Sequence, residues 1–153
     1  MIAFTSLTLA LAVSIAQVSA GAPPRLALMN PAELPSGAGC RIWPRPQRDA
    51  GVLFALGDWG DNAVVRISPS PSLIRLRLVD TVERPRRSDG PSIGDTRVEF
   101  WSGPDFQVTL KLLTTFACDL SDTACEVERF RGILYVSTAG KVYRLRIQGE
   151  CGS

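Results

Sequence analysis

The chain has 153 residues, a formal net charge of +2, four cysteines and no histidine. This length fits one domain, and so small a net charge gives no reason to expect a nucleic-acid partner. The absence of histidine excludes Ser-His-Asp and Cys-His catalysis, histidine metal sites and imidazole general bases. Catalysis would therefore depend on carboxylate, lysine or tyrosine side chains.

Residues 1–20 have the pattern of a secretory signal peptide. They carry no charged side chain, contain an apolar run over residues 7–16, and end in Val18-Ser19-Ala20. This pattern predicts export, with cleavage after Ala20 and a periplasmic or extracellular mature chain. The apolar run is too short for a permanent transmembrane helix and no later segment approaches the required length, so we expect no membrane anchor.

Residues 21–39 are rich in proline and glycine, and we predict that they form an N-terminal arm. Within the arm, Asn30-Pro31-Ala32-Glu33 has the pattern of one capped helical turn, which Pro35 stops from growing. From residue 40 to residue 153 the dominant pattern is short β-prone runs between turn residues, which predicts a single all-β domain. The clear runs cover residues 52–56, 63–67, 73–79, 96–101, 106–113, 133–137 and 141–148.

Alternation within these runs indicates strands that bury one face. In residues 106–113, for example, Phe106, Val108 and Leu110 share one face while Gln107 and Thr109 share the other. Turn residues separate consecutive runs, which favours antiparallel pairing of neighbours. We therefore predict a small antiparallel β-sandwich or β-barrel of about six to eight strands.

The four cysteines all follow the predicted signal peptide, and an even number in an exported chain indicates disulfides. Three pairings are open, and we favour Cys118–Cys125 and Cys40–Cys151. The first closes a short local loop, and the second joins the start of the β-rich region to its last residues. A zinc site is disfavoured because the chain has no C-x2-C spacing and no histidine, so we predict no metal and no cofactor.

Asp58, Trp59 and Asp61 form the first candidate site. The two carboxylates flank Trp59-Gly60, and paired carboxylates can serve glycoside chemistry or bind a cation. Asp, Asn and Gly are also the residues that a hairpin turn requires, and this interpretation is the favoured one. Trp59 would then be an exposed contact residue or a plug over the core.

Gly90-Pro91-Ser92-Ile93-Gly94 matches the letters of a nucleophile elbow. That elbow requires a preceding strand, a following helix and a histidine base. Here the segment lies in a polar loop and the chain has no histidine, so we interpret it as a solvent loop.

Arginines alternate with apolar residues in several of the predicted strands. If those strands are neighbours, the arginines would line one face suited to an anionic polymer or a lipid headgroup. Solvated arginines paired with the acidic residues are the alternative. The arginines concerned are Arg66, Arg75, Arg77, Arg144 and Arg146.

The segment Ser137-Thr138-Ala139-Gly140-Lys141-Val142-Tyr143 resembles the Ser, Gly, Lys and Tyr loop of periplasmic inhibitors of c-type lysozymes. The resemblance covers these residues only, and the aromatic and Lys-Gly segment that follows in that family is missing here. It implies that Ser137 and Lys141 would enter the cleft of the inhibited enzyme.

These observations favour an exported, non-enzymatic β module that either binds a protein or an envelope polymer or stabilises an envelope assembly. A hydrolase inhibitor is one alternative, with Ser137 and Lys141 as its contact residues. An enzyme acting on envelope carbohydrate is the other, with Asp58 and Asp61 as its carboxylates.

Overall fold

The computed structural model describes residues 25–34, 39–47, 51–57, 62–68, 70–87, 90–119, 121 and 125–152. The predicted signal peptide and its cleavage site lie outside the described residues, so export stays a prediction. Within these described ranges, one 3-10 turn, Pro31–Glu33, accompanies nine strands. The strands are β1 (Arg25–Ala27), β2 (Cys40–Pro44), β3 (Phe54–Leu56), β4 (Asn62–Ser68), β5 (Leu73–Arg84), β6 (Thr96–Ser102), β7 (Gln107–Phe116), β8 (Glu128–Thr138) and β9 (Lys141–Cys151).

The strands β2 to β9 form a closed antiparallel barrel. Each strand pairs with the next one along the chain, and β9 pairs back with β2, so the topology is up-and-down. Strand β1 pairs with the last residues of β4, just past the residues of β4 that pair with β3. The predicted all-β antiparallel fold is confirmed, and the barrel is the correct one of its two forms. No helix among the described residues is long and apolar enough to cross a membrane.

Alternating apolar side chains fill the barrel. Ile42, Phe54, Leu134 and Ile147 are fully buried, and Trp101 packs edge-on against Phe54 with the ring centroids 5.4 Å apart. Each fully buried side chain of this size contributes roughly 1.5–3 kcal/mol by leaving water. The interior is therefore a packed core rather than a channel.

Both predicted disulfides are confirmed. Cys40 lies directly opposite Cys151 where β2 meets β9, so this bond holds the pair of strands that closes the barrel. Cys118–Cys125 closes the loop between β7 and β8. The loop-entropy account gives about 4.8 kcal/mol for the first bond and about 2.5 kcal/mol for the second.

The two ends of the barrel differ. At the end we call the disulfide end, β2, β4, β6 and β8 begin and β3, β5, β7 and β9 finish, and both disulfides lie there. At the opposite end, which we call the turn end, β8 and β9 are joined by Ala139 and Gly140 alone, with φ angles of 44° and 76°. Two positive φ angles are what a two-residue hairpin turn requires.

The described part of the predicted N-terminal arm packs on the outside of β3 and β4. Met29 forms a bridge with Val52 and is buried together with Ala55 and Val64. The predicted capped turn is present, since the Asn30 side chain accepts from the Ala32 amide and Glu33 accepts from the Asn30 amide. Residues 25–34 therefore belong to the folded body.

Candidate functional site

The strand register places four residues in one row across the outer wall. Val98 on β6 lies opposite Lys111 on β7, Lys111 opposite Ile133 on β8, and Ile133 opposite Arg146 on β9. Directly opposed residues of antiparallel strands point to the same face. Their chain neighbours, such as Leu134, are buried in the interior, so this row faces outward.

A second outward row runs beside the first, nearer the disulfide end. Leu113 on β7 lies opposite Arg131 on β8, Arg131 opposite Gln148 on β9, and Gln148 opposite Trp43 on β2. A groove crosses the strands between the two rows, from Val98 on β6 to Arg146 on β9, and neither Gln148 nor Trp43 lines it.

The groove, which we call the cationic groove, has an apolar floor and a basic rim. Its volume is about 480 Å³. From β6 to β9 it crosses three strand spacings of about 4.8 Å, or about 14 Å. Val98, Leu113 and Ile133 are half-buried and form the floor, whereas the rim side chains are exposed. The rim is formed by Arg45, Lys111, Arg131 and Arg146.

The rim is part of a larger basic surface on β7, β8, β9 and β2, which we call the cationic wall. Among the described residues that face outward on these four strands there is one carboxylate, Glu150, which lies 3.8 Å from Arg129. The other ion pairs of the described residues involve Arg66 and Arg97 and none of the rim residues. The wall consists of Arg41, Arg45, Lys111, Arg129, Arg131, Arg144 and Arg146.

Aromatic rings hold two of these cations in place. The Lys111 ammonium lies 5.3 Å from the centre of the Tyr135 ring, and the Arg129 guanidinium lies 5.2 Å from the Phe116 ring. A ring face attracts a cation without neutralising its charge. Lys111, which has no ion pair among the described residues, is therefore available to an external anion, whereas Arg129 is shared with Glu150.

The arginines singled out in the sequence divide into two groups. Arg144 and Arg146 lie on β9 within the cationic wall. Arg75 and Arg77 lie on β5, which is four strands from β9 in either direction around the barrel. Arg66 on β4 belongs to the second group, and its guanidinium is paired with Glu33 at 2.9 Å. The proposed single arginine face is therefore two faces on opposite walls.

The interior is polar at the disulfide end. Glu99 is buried, with 5% of its surface exposed, and its carboxylate accepts from the Trp101 indole at 3.0 Å. The Arg97 Nε atom lies 2.7 Å from the same carboxylate, but its N–H is not aimed at it, so the contact is an ion pair without a hydrogen bond. Glu128 accepts from the Thr114 hydroxyl at 2.7 Å and lies 3.9 Å from Arg97.

A cavity of about 340 Å³ opens above this network, and its lining includes Glu83, Arg87, Asp95, Arg97 and Glu128. We call it the mouth. Most of its inner polar groups are already engaged with one another. The arrangement neutralises buried charges inside the barrel, as buried charges require.

Asp95 organises the loop beside the mouth. Its carboxylate accepts from the backbone amides of Arg86 at 2.6 Å and Ser92 at 2.7 Å, and from the Ser92 hydroxyl at 2.8 Å. These hydrogen bonds, led by that of Arg86, hold the pKa of Asp95 below its ordinary value. Ser92, the serine of the elbow-like motif, therefore donates to Asp95. It lies in a loop, as the sequence predicted.

Ser137 and Lys141 lie at the turn end but on different faces. Ser137 lies opposite Val142, and Lys141 lies opposite Thr138, so adjacent pairs of the ladder carry them. Adjacent pairs point to opposite faces of the sheet. The structure does not bring the two side chains together, and their role in inhibition stays a prediction.

Asp58, Trp59 and Asp61 lie outside the described residues. Their role as a carboxylate pair with an aromatic contact therefore stays a prediction.

Comparison of the chain with protein-family models, curated proteins and solved structures finds no match.

The groove itself was not predicted from the sequence. The sixth predicted strand begins at Ile133, whereas β8 begins at Glu128, so the prediction leaves Arg129 and Arg131 outside the strand. The available signal was alternation, since Arg129 and Arg131 continue the outward positions of Ile133 and Tyr135.

Proposed function

We propose that this chain is an exported, non-enzymatic binding module that binds anionic ligands on its cationic wall. The observation that carries the proposal is the exposed rim of Arg45, Lys111, Arg131 and Arg146, which no ion pair of the described residues neutralises.

Local concentration of charge makes this wall a binding surface. The whole chain carries only +2, yet its wall collects seven cations because carboxylates lie mainly elsewhere. Among the described residues, Glu83, Asp95, Glu99 and Glu128 lie in or beside the mouth. A surface of one sign attracts ligands of the other and orients them as they approach.

Two features support export. Residues 1–20 have the pattern of a signal peptide, and all four cysteines form disulfides, which persist in oxidising compartments. An exported module with a basic wall would meet anionic groups of envelope polymers and lipids.

The chemistry of the described carboxylates favours binding over catalysis. Glu99 and Glu128 are held by Arg97, Trp101 and Thr114. A glycosidase needs one carboxyl group to give a proton and a second to act as nucleophile or base, and these two are engaged in stabilising the barrel.

Retention on a heparin column tests the proposal. We expect wild type to bind at low salt and to elute as salt screens the wall. A triple variant, Arg131→Gln, Arg144→Gln and Arg146→Gln, should elute at clearly lower salt.

The matched control is the triple variant Arg25→Gln on β1 with Arg75→Gln and Arg77→Gln on β5, because it removes the same charge from exposed positions outside the wall. It should elute close to wild type. Equal shifts for the two triples, or no retention of wild type at low salt, would refute the proposal.

A further inference from the structure

We propose that the cationic groove binds an anionic amphiphile, with an alkyl chain on the floor and an acidic head on the rim. This inference rests on the proposed function and specifies the chemical class of the ligand. It follows from the floor, the polarity of the groove along its length, and the apolar surface that continues beyond it.

The floor is aliphatic. Val98, Leu113 and Ile133 form it, and none of the described residues that line the groove is aromatic. Flat ligands such as nucleobases are held by stacking on aromatic side chains. Branched aliphatic side chains instead match an alkyl chain, which gains binding energy for each methylene removed from water.

The positive charge along the groove increases from β6 to β9. On β6 its outward residues, Thr96 and Val98, carry no charge, and Arg97 between them is paired with the buried carboxylate of Glu99. Lys111 on β7 and Arg131 on β8 each contribute one cation beside an apolar residue. Arg146 on β9 adds the last cation within the strands, and Arg45 lies next to it, since the Arg45 amide donates to the Arg146 carbonyl at 3.0 Å.

Apolar surface continues past the uncharged end. Val82 on β5 lies opposite Val98 and is 45% exposed, and Phe100, two residues along β6, is 38% exposed. A β-bulge beside Phe100 leaves Val79 61% exposed. These side chains extend the apolar floor onto β5, where Arg84 lies opposite Thr96 and Asp80 lies opposite Phe100 at its borders.

This gradient of charge along the groove favours a ligand with one acidic end and one apolar end. An anion without an apolar part would use only the β9 end, and an apolar molecule without charge would leave the rim unused. A molecule with an acidic head near Arg146 and a chain toward β6 satisfies both. Lys and Arg stems beside the chain add apolar contact while their charged tips stay in water.

The experiment is a titration of wild type with ethyl, butyl, hexyl and octyl phosphate, kept below the concentration at which each self-associates. A fully buried methylene is worth about fourfold in affinity. In an open groove we expect a gain of about twofold per methylene. Affinity that does not rise with chain length would overturn the amphiphile.

That failure is distinguishable from failure of the proposed function. If heparin retention depends on the cationic wall while the affinity for alkyl phosphates does not change with chain length, the proposal of anion binding is retained. The proposal of an amphiphilic ligand is then refuted. If wild type binds neither heparin nor any alkyl phosphate, both proposals fall.

A paired variant locates the chain-binding surface. Val98→Thr with Ile133→Thr makes the floor polar while keeping branched side chains that suit a strand. We expect at least a fivefold loss of octyl phosphate affinity, with ethyl phosphate affinity and heparin elution unchanged.

The control is Ile93→Thr with Val142→Thr, which makes the same chemical changes at exposed positions outside the groove. It should bind octyl phosphate as wild type does. If the two double variants lose equal affinity, the floor is not the site. Thermal melting of both verifies that each is folded.

Discussion

Two apolar patches lie on the outside of this barrel, and only one of them is covered by another part of the described chain. On β3 and β4, Ala55 and Val64 are covered by the chain's own arm, and Met29 is buried there with 1% of its surface exposed. On β6, β7 and β8, Val98, Leu113 and Ile133 remain half-buried in an open groove.

The surroundings of the two patches account for the difference. The covered patch is sealed by two backbone hydrogen bonds between Met29 and Val52, of 2.7 and 2.9 Å, and by the ion pair of Glu33 with Arg66. The open patch is bordered by exposed cations, which would lose water if an apolar segment covered them. An anionic partner compensates that loss, so the cationic border suits a ligand rather than an internal seal.

Deleting one apolar side chain from each patch should produce the largest difference between the two. Met29→Ala should lower the free energy of unfolding by about 2–3 kcal/mol, as expected for a buried side chain that leaves a cavity. Ile133→Ala should cost about 1 kcal/mol or less, because its side chain is half-exposed and leaves no closed cavity. Urea denaturation measures both.

An effect of Ile133→Ala as large as that of Met29→Ala would contradict the distinction between a sealed patch and an open one. Circular dichroism verifies that both variants keep the secondary structure of wild type.

A smaller effect is expected from acid on the sealed patch. The hydrogen bond from Arg66, followed by that from the Asn30 amide, holds the pKa of Glu33 below its ordinary value. The stabilisation is therefore complete above about pH 4.3, the pKa of an unfolded glutamate, and is lost as the pH falls through the lower folded pKa. The arm should become easier to detach in that range.

Hydrogen exchange at the Met29 amide between pH 5 and pH 3 measures this effect. After correction for intrinsic exchange, wild type should lose protection as the pH falls. Glu33→Gln should be less protected at pH 5 and should change little. Identical profiles for wild type and Glu33→Gln would show that this ion pair does not hold the arm.

Much of the fold could be predicted from sequence because burial on one side of a strand leaves a period of two. Residues 106–113 and 141–148 show that period, and both form strands. β2 was missed because Cys40–Pro44 is short and ends in proline, and β1 because Arg25–Ala27 has too few residues to show alternation. The disulfide pairs were predictable from spacing, since one closes a local loop.

The groove could not be predicted because it depends on register. Lys111, Ile133 and Arg146 are neighbours only because three separate strands align at these positions. A shift of one residue in any strand would turn its side chain inward. Sequence shows which residues alternate, but turn geometry and core packing decide which of them stand side by side.

The most direct test of the cationic groove is a titration with octyl phosphate followed through the backbone amide signals in the NMR spectrum. We predict the largest shifts at Val98, Lys111, Ile133 and Arg146, with little change at Arg75 and Arg77. Shifts centred on Thr114 and Glu128 at the mouth, or equal shifts on both walls, would contradict the assignment of the groove as the binding site.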